Sequence, residues 1–129
     1  MSTILIVEGH KDFRQAVRRF LEASHVKADL LEASCAEEGI LLAKRHKPEI
    51  VLMDIWLRGI NGMEAATQIK ASVPECSIIL LTMFDLKDVQ PMVNREVIKE
   101  FISKSDLCDK LVPSVNKILN AVLKHSLRE

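Results

Sequence analysis

The 129 residues predict an α/β fold, a doubly wound five-stranded parallel sheet with helices on both faces. Three observations carry this. Short, continuous apolar runs recur at Ile4 to Val7, Ile50 to Met53 and Ile78 to Leu81; they are too short for helices and do not alternate, as strands buried on both faces do not. Segments with helical periodicity and capping residues lie between them. The resulting order, βαβαβαβαβα without repeats or linkers, is the one that a parallel sheet with crossover helices requires.

After the first strand, Phe13, Ala16, Val17, Phe20 and Leu21 form an i, i+3, i+4, i+7, i+8 apolar stripe, with Arg14, Arg18 and Arg19 mostly outside it. A weaker second strand covers about Lys27 to Glu32. Ser34 with Glu37 three residues on is a capping-box pattern that opens a second helix. Lys44, Arg45, His46 and Lys47 close it before Pro48; cations in a last turn complement the helix dipole, so the run is read that way rather than as a nucleic-acid patch. Asn61 with Glu64 repeats the capping pattern for a third helix that ends near Ser72, before Pro74. Asp85 is the candidate cap of a fourth helix, which Pro91 and a polar face keep short or irregular. Glu100 to Ser103 forms a last strand, and Leu111, Val115, Ile118, Leu119 and Val122 stripe a closing helix that Pro113 makes begin late or bend.

The length suits one domain over residues 1–129, and 48% hydrophobic residues supply its core. With 18 basic against 18 acidic residues, nothing draws the whole chain toward nucleic acid or an acidic membrane. Cys35, Cys76 and Cys108 are odd in number, widely spaced and in no CxxC pair, which fits reduced, buried structural thiols better than disulfides or a zinc site. His10, His25, His46 and His125 have no ligand spacing and read as solvated. Neither a signal h-region nor a run of ~20 apolar residues occurs, so the expected location is cytoplasmic.

Ligands of such sheets bind beyond the carboxyl ends of the strands, where the strand order reverses. The residues just past four strands are Glu8, Asp54, Thr82 and Lys104, four polar groups on one edge. In a flavodoxin-like 2-1-3-4-5 order, Glu8 and Asp54 face each other across the crevice, with Thr82 and Lys104 to one side. Two carboxylates, a hydroxyl and an ammonium suit several chemistries, among them phosphoryl transfer to Asp54, with magnesium neutralising the phosphoryl oxygens and Lys104 and Thr82 contacting them. A single glycine, Gly9, follows the first strand, which disfavours nucleotide binding of the P-loop or Rossmann kind.

Over essentially its whole length the chain resembles the CheY-like receiver domain of two-component response regulators. The match lies in Ile4 to Val7 followed by an acid, VLMD ending at Asp54, GINGME from Gly59 to Glu64, LLT ending at Thr82 and FISK ending at Lys104. His10, Phe13 and Arg14 before a long amphipathic helix look most like the NarL/LuxR-type subgroup, whose members usually add a helix-turn-helix output domain. The resemblance implies that Asp54 accepts a phosphoryl group from a kinase phosphohistidine. It also implies magnesium held by Glu8, Asp54 and the backbone carbonyl of Trp56, a switch made by Thr82 and Phe101, and Lys104 pairing with the phosphoryl group. Implied partners are a sensor histidine kinase or phosphotransfer protein and an output domain or partner protein, with a homodimer left open and neither nucleic acid nor membrane bound directly. The chain would then be no enzyme beyond self-catalysed phosphotransfer and dephosphorylation.

Departures from the pattern set the alternative. Gly9 stands where receivers usually carry a second acid, and losing a charged ligand weakens a magnesium site. Arg58 replaces a usual proline, and Arg95 to Glu100 lacks the small residues expected before Phe101. These favour a receiver that acts as a phosphate-independent interaction module. The resemblance implies that Trp56 and Phe84, two residues beyond Asp54 and Thr82, flank the phosphorylated Asp and affect access of water to it; two bulky apolar side chains there predict slow self-dephosphorylation. A phosphatase of the haloacid-dehalogenase type is disfavoured, because Trp56 sits where its second acid belongs.

Overall fold

The computed structural model describes residues 2–57, 59–83 and 86–128. Five parallel strands, β1 (Ser2–Val7), β2 (Ala28–Ala33), β3 (Ile50–Asp54), β4 (Ser77–Thr82) and β5 (Ile98–Ser103), form one sheet in the order β2-β1-β3-β4-β5. The helices are α1 (Lys11–Ala23), α2 (Ala36–His46), α3 (Gly62–Ser72), α4 (Leu86–Val89) and α5 (Leu107–Arg128). The predicted fold class and strand order are those observed.

Each central strand is apolar on both faces because each face meets helices. Ile4 and Ile6, Ile50 and Leu52, and Ile79 and Leu81 join a core with Val17 and Leu21 of α1 and with Leu107, Leu111, Val115 and Ile118 of α5. The alternate residues Leu5 and Val7, Val51 and Met53, and Ile78 and Leu80 join a second core with residues of α2, α3 and α4. Period-two alternation therefore separates two apolar layers rather than an inside from an outside.

Helix ends follow local chemistry, with some departures from expectation. Asn61 caps α3 as predicted, its Oδ1 accepting from the Glu64 N–H at 2.8 Å. At α2 the expected Ser34–Glu37 box does not form: Cys35 is the cap residue, and Glu38 turns back to accept from the Ser34 N–H at 2.9 Å. The reciprocal arm thus comes from the next residue, one position along the turn. Lys47 ends α2 in the left-handed region, at φ 47°, which explains the basic run before Pro48 as a helix terminus. The short α4 passes into a 3-10 turn over Gln90–Met92 that contains Pro91. Its predicted cap, Asp85, lies outside the described residues, as do Arg58 and Phe84.

Pro113 does not delay α5, which starts at Leu107 and contains it. Pro113 is exposed, so the Asp109 carbonyl that lacks an N–H partner four residues on can meet water. Only Cys76 is a buried thiol, its pKa pushed up by burial; Cys35 is half-buried and Cys108 exposed, which corrects the expectation for those two, and all three are free. His10 is more than a solvated side chain, since its Nδ1 accepts from the Phe13 N–H at 3.2 Å and caps α1.

Candidate functional site

Register places the site. Val7 pairs with Met53 where β1 meets β3, so the next residues, Glu8 and Asp54, leave the sheet side by side at its carboxyl edge. Thr82 ends β4 and pairs with Ser103 of β5, and Lys104 is the residue after it. Glu8, Asp54 and Thr82 are the buried polar or charged residues among those described.

Three of the four predicted groups are in direct contact. Lys104 Nζ lies 2.9 Å from Asp54 Oδ2 and 3.2 Å from Glu8 Oε2, joining residues 50 and 96 positions away in the chain. The remaining carboxylate oxygens are held by backbone: Asp54 Oδ1 accepts from the Trp56 N–H at 2.9 Å, and Glu8 Oε1 accepts from the His10 N–H at 3.2 Å. Thr82 is fully buried at the end of β4, the strand beside Asp54. Trp56 is half exposed, and the contact it makes with Asp54 is through its amide, which leaves the expected role of its carbonyl a proposal. Phe101 is half-buried on β5 with the Arg95 guanidinium carbon 5.8 Å from its ring centroid.

Two carboxylates share one ammonium here, and the balance shows in Glu8. Burial pushes its carboxyl above the ordinary 4.5, and the Asp54 charge and a hydrogen bond with Asp54 push the same way; the Lys104 ammonium and the His10 N–H hold it back. Asp54 and Glu8 are hard oxygen donors of the kind magnesium takes, one or two at a time, alongside waters. Among the described residues no group of three His, Cys, Asp or Glu joins them. The donor set therefore fits magnesium in kind and is short by the carboxylate that Gly9 does not supply.

A surrounding frame was not evident from sequence. Arg14 Nη1 donates to the Glu8 carbonyl at 2.8 Å while its Nε donates to Glu32 Oε1 at 2.9 Å. Gln15 and Arg18 donate to the same Glu32 carboxylate, at 2.6 and 3.1 Å. Glu32 on β2 thus anchors one face of α1, and through Arg14 the turn that carries Glu8. The Phe13 ring lies beneath Lys104, its centroid 4.1 Å from Nζ. The signal available in sequence was the position of Phe13 and Arg14 in the first helical turn after Glu8. A groove of about 690 Å³ lies at the opposite end of the sheet, lined by Lys47, Glu49, Glu75 and the later turns of α5, and shares no residue with this site.

A family model described as response regulator receiver domain matches residues 4–116. The chain belongs to the response regulator receiver family. It is 32% identical over 106 residues to the transcriptional regulatory protein LiaR of Bacillus subtilis, covering 81% of this chain and 50% of LiaR. It is 28% identical over 118 residues to the response regulator UvrY of Escherichia coli, covering 92% of this chain and 54% of UvrY. This receiver chain thus spans about half the length of the curated relatives it matches. A LuxR-family two-component response regulator from Aurantimonas shares its structure with a TM-score of 0.81 at 27% identity, over 94% of this chain and 86% of that one. A receiver domain from Clostridium thermocellum shares the fold with a TM-score of 0.81 at 22% identity over the whole of both chains. The resemblance to LuxR-type receivers read from the motifs holds. No helix among the described residues is long and apolar enough to cross a membrane.

Proposed function

We propose that the chain works as the phosphoacceptor module of a two-component pathway, with Asp54 taking a phosphoryl group from a phosphohistidine of a sensor kinase or phosphotransfer protein. The observation that supports this most is the buried Glu8–Lys104–Asp54 cluster, in which the acceptor carboxylate already lies beside the cation that would meet the arriving charge. An Asp54 oxygen attacks phosphorus as the P–N bond breaks; the electron pair returns to the imidazole, and an acyl phosphate remains. Lys104 then exchanges a carboxylate oxygen for a phosphoryl oxygen. The Trp56 N–H, already directed at Asp54, fixes the carboxylate plane during attack.

Glu8, Asp54 and the Trp56 backbone carbonyl are the groups that would hold magnesium, which when bound neutralises charge on the phosphoryl oxygens. Thr82 and Phe101, on neighbouring strands β4 and β5, would report occupancy to the face made by α4, β5 and α5, biasing a two-state equilibrium read by a partner or output domain. Relatives twice as long, one of them named a transcriptional regulatory protein, support an output carried by the other half of such a protein.

Incubating the protein with phosphoramidate and weighing it intact tests the acceptor. The expected result is one phosphoryl group on wild type and none on Asp54→Asn with its fold unchanged; no uptake by wild type would leave the phosphate-independent module as the reading. Gly9→Asp tests the metal site. A Cβ at Gly9 would meet only the Ser34 carbonyl oxygen, at an ordinary 3.5 Å, so a side chain has room. Restoring the carboxylate should tighten magnesium by roughly tenfold or more, followed by fluorescence of Trp56, the only tryptophan. A folded Gly9→Asp with unchanged affinity would show that the missing acid does not limit binding.

A further inference from the structure

Lysine is a poor fixed charge: a compact ammonium on a flexible four-carbon stem, which loses much rotamer freedom when held still. Lys104 is nevertheless held at three places. Asp54 and Glu8 take its ammonium on one side, and the Phe13 ring face, with its centroid 4.1 Å away, receives it on another. That distance is well inside the ~6 Å reach of a cation–π contact, and only 12% of the lysine side chain is exposed, so water screens the contact little.

The ring is itself mounted. The Phe13 N–H is tied to the His10 cap, and the next residue, Arg14, is pinned to both the Glu8 carbonyl and Glu32. Behind it, Phe13 packs on the core between α1, α5 and the sheet. Helix burial alone would be met by any apolar residue at this place in the stripe; an aromatic face under a buried ammonium is a more particular demand.

We infer that Phe13 is a positioning residue for Lys104, its ring seating the ammonium so that the charge stays in reach of Asp54 when it leaves a carboxylate oxygen for a phosphoryl oxygen. The inference rests on Asp54 being the phosphoacceptor. The two carboxylates alone would hold the ammonium only while both remain free. The ring holds it in either state, because its attraction does not depend on what Asp54 carries.

Phe13→Leu keeps apolar bulk and removes the π face, and Phe13→Tyr keeps the face. Lys104 should show ring-current-shifted side-chain methylene protons in NMR spectra of wild type and Phe13→Tyr, and ordinary ones in Phe13→Leu. The rate of phosphoryl uptake from phosphoramidate should fall about fivefold in Phe13→Leu and stay within about twofold in Phe13→Tyr, with melting temperatures measured alongside. Fluorinated phenylalanines inserted at position 13 should slow uptake step by step as fluorines are added, a trend that a packing role would not produce. Uptake by Phe13→Leu at the wild-type rate, or shifts that survive the loss of the ring, would overturn the role of Phe13 while leaving Asp54 as acceptor. Absence of uptake by wild type would instead sink the acceptor and the purpose of the seat together.

Discussion

Lys104→Met should destabilise the domain by roughly 3 to 5 kcal/mol at neutral pH, because it leaves two buried carboxylates side by side without their cation. Methionine fills much of the lysine volume and keeps contact with the Phe13 ring, so the loss reports charge rather than a cavity. The penalty should also depend on pH. Glu8 already has its folded pKa raised above the 4.5 of the unfolded chain, so the folded state binds its proton more tightly. The stability this contributes is fully present below 4.5 and is lost as pH rises through the folded value. Lys104 is one of the two groups that hold that value down, so its removal extends the window upward. Urea denaturation from about pH 4.5 to 8 should show wild type and variant converging toward acid and separating toward neutral. A gap that is the same at every pH, or below about 1 kcal/mol at neutral pH, would show that the lysine is not what keeps the two carboxylates together.

The same cluster shows what could be read from the chain and what could not. Strands buried on both faces announce themselves as continuous apolar runs, and in a parallel sheet their carboxyl ends converge on one edge, so Glu8, Asp54, Thr82 and Lys104 followed from counting residues past each run. Contacts made by a helix across its own stripe are harder. Phe13 is at a core-facing stripe position and the periodicity is satisfied by burial alone, so nothing in it announces a lysine 91 residues later in the chain. Arg14 and Glu32 are a charged residue beside a stripe and an acid in a weak edge strand, ordinary surface features until α1 lies across β2 and brings them to 2.9 Å. Capping patterns carry a one-residue ambiguity because adjacent acids in a first turn can both reach back, which is how Glu38 rather than Glu37 came to meet Ser34. Pro113 predicts a late start or a bend because proline lacks an N–H. On the exposed side of the helix the freed carbonyl has access to water, and the burial of Leu111 and Val115 on the other side offsets the cost of the missing donor.

Gly62→Ala should be the most damaging methyl group added near the site. Gly62 opens α3, and its N–H donates to the Ile55 carbonyl at 2.8 Å, so the helix start lies directly on the backbone that leaves β3. A Cβ there would overlap the Asp54 carbonyl oxygen and come within 2.8 Å of the Ile55 carbonyl oxygen. Both are main-chain atoms and cannot rotate aside, so α3 must lift or the turn after Asp54 must move, at about 3 kcal/mol or more. Gly9→Ala, on the same edge but with its Cβ only in ordinary contact with the Ser34 carbonyl oxygen, should be neutral within about 0.5 kcal/mol and serves as the control. The two changes also separate folding from chemistry. Asp54→Asn removes the acceptor and leaves the turn intact, whereas Gly62→Ala leaves the acceptor and shifts the backbone that aims it. Under conditions where the Gly62 variant is still folded, its phosphoryl uptake should be reduced together with the Trp56 N–H contact to Asp54, visible as a shift of that amide resonance. Wild-type uptake in a folded Gly62→Ala would mean that the close approach of α3 serves stability alone and that Asp54 is aimed by Lys104 and Glu8 without it.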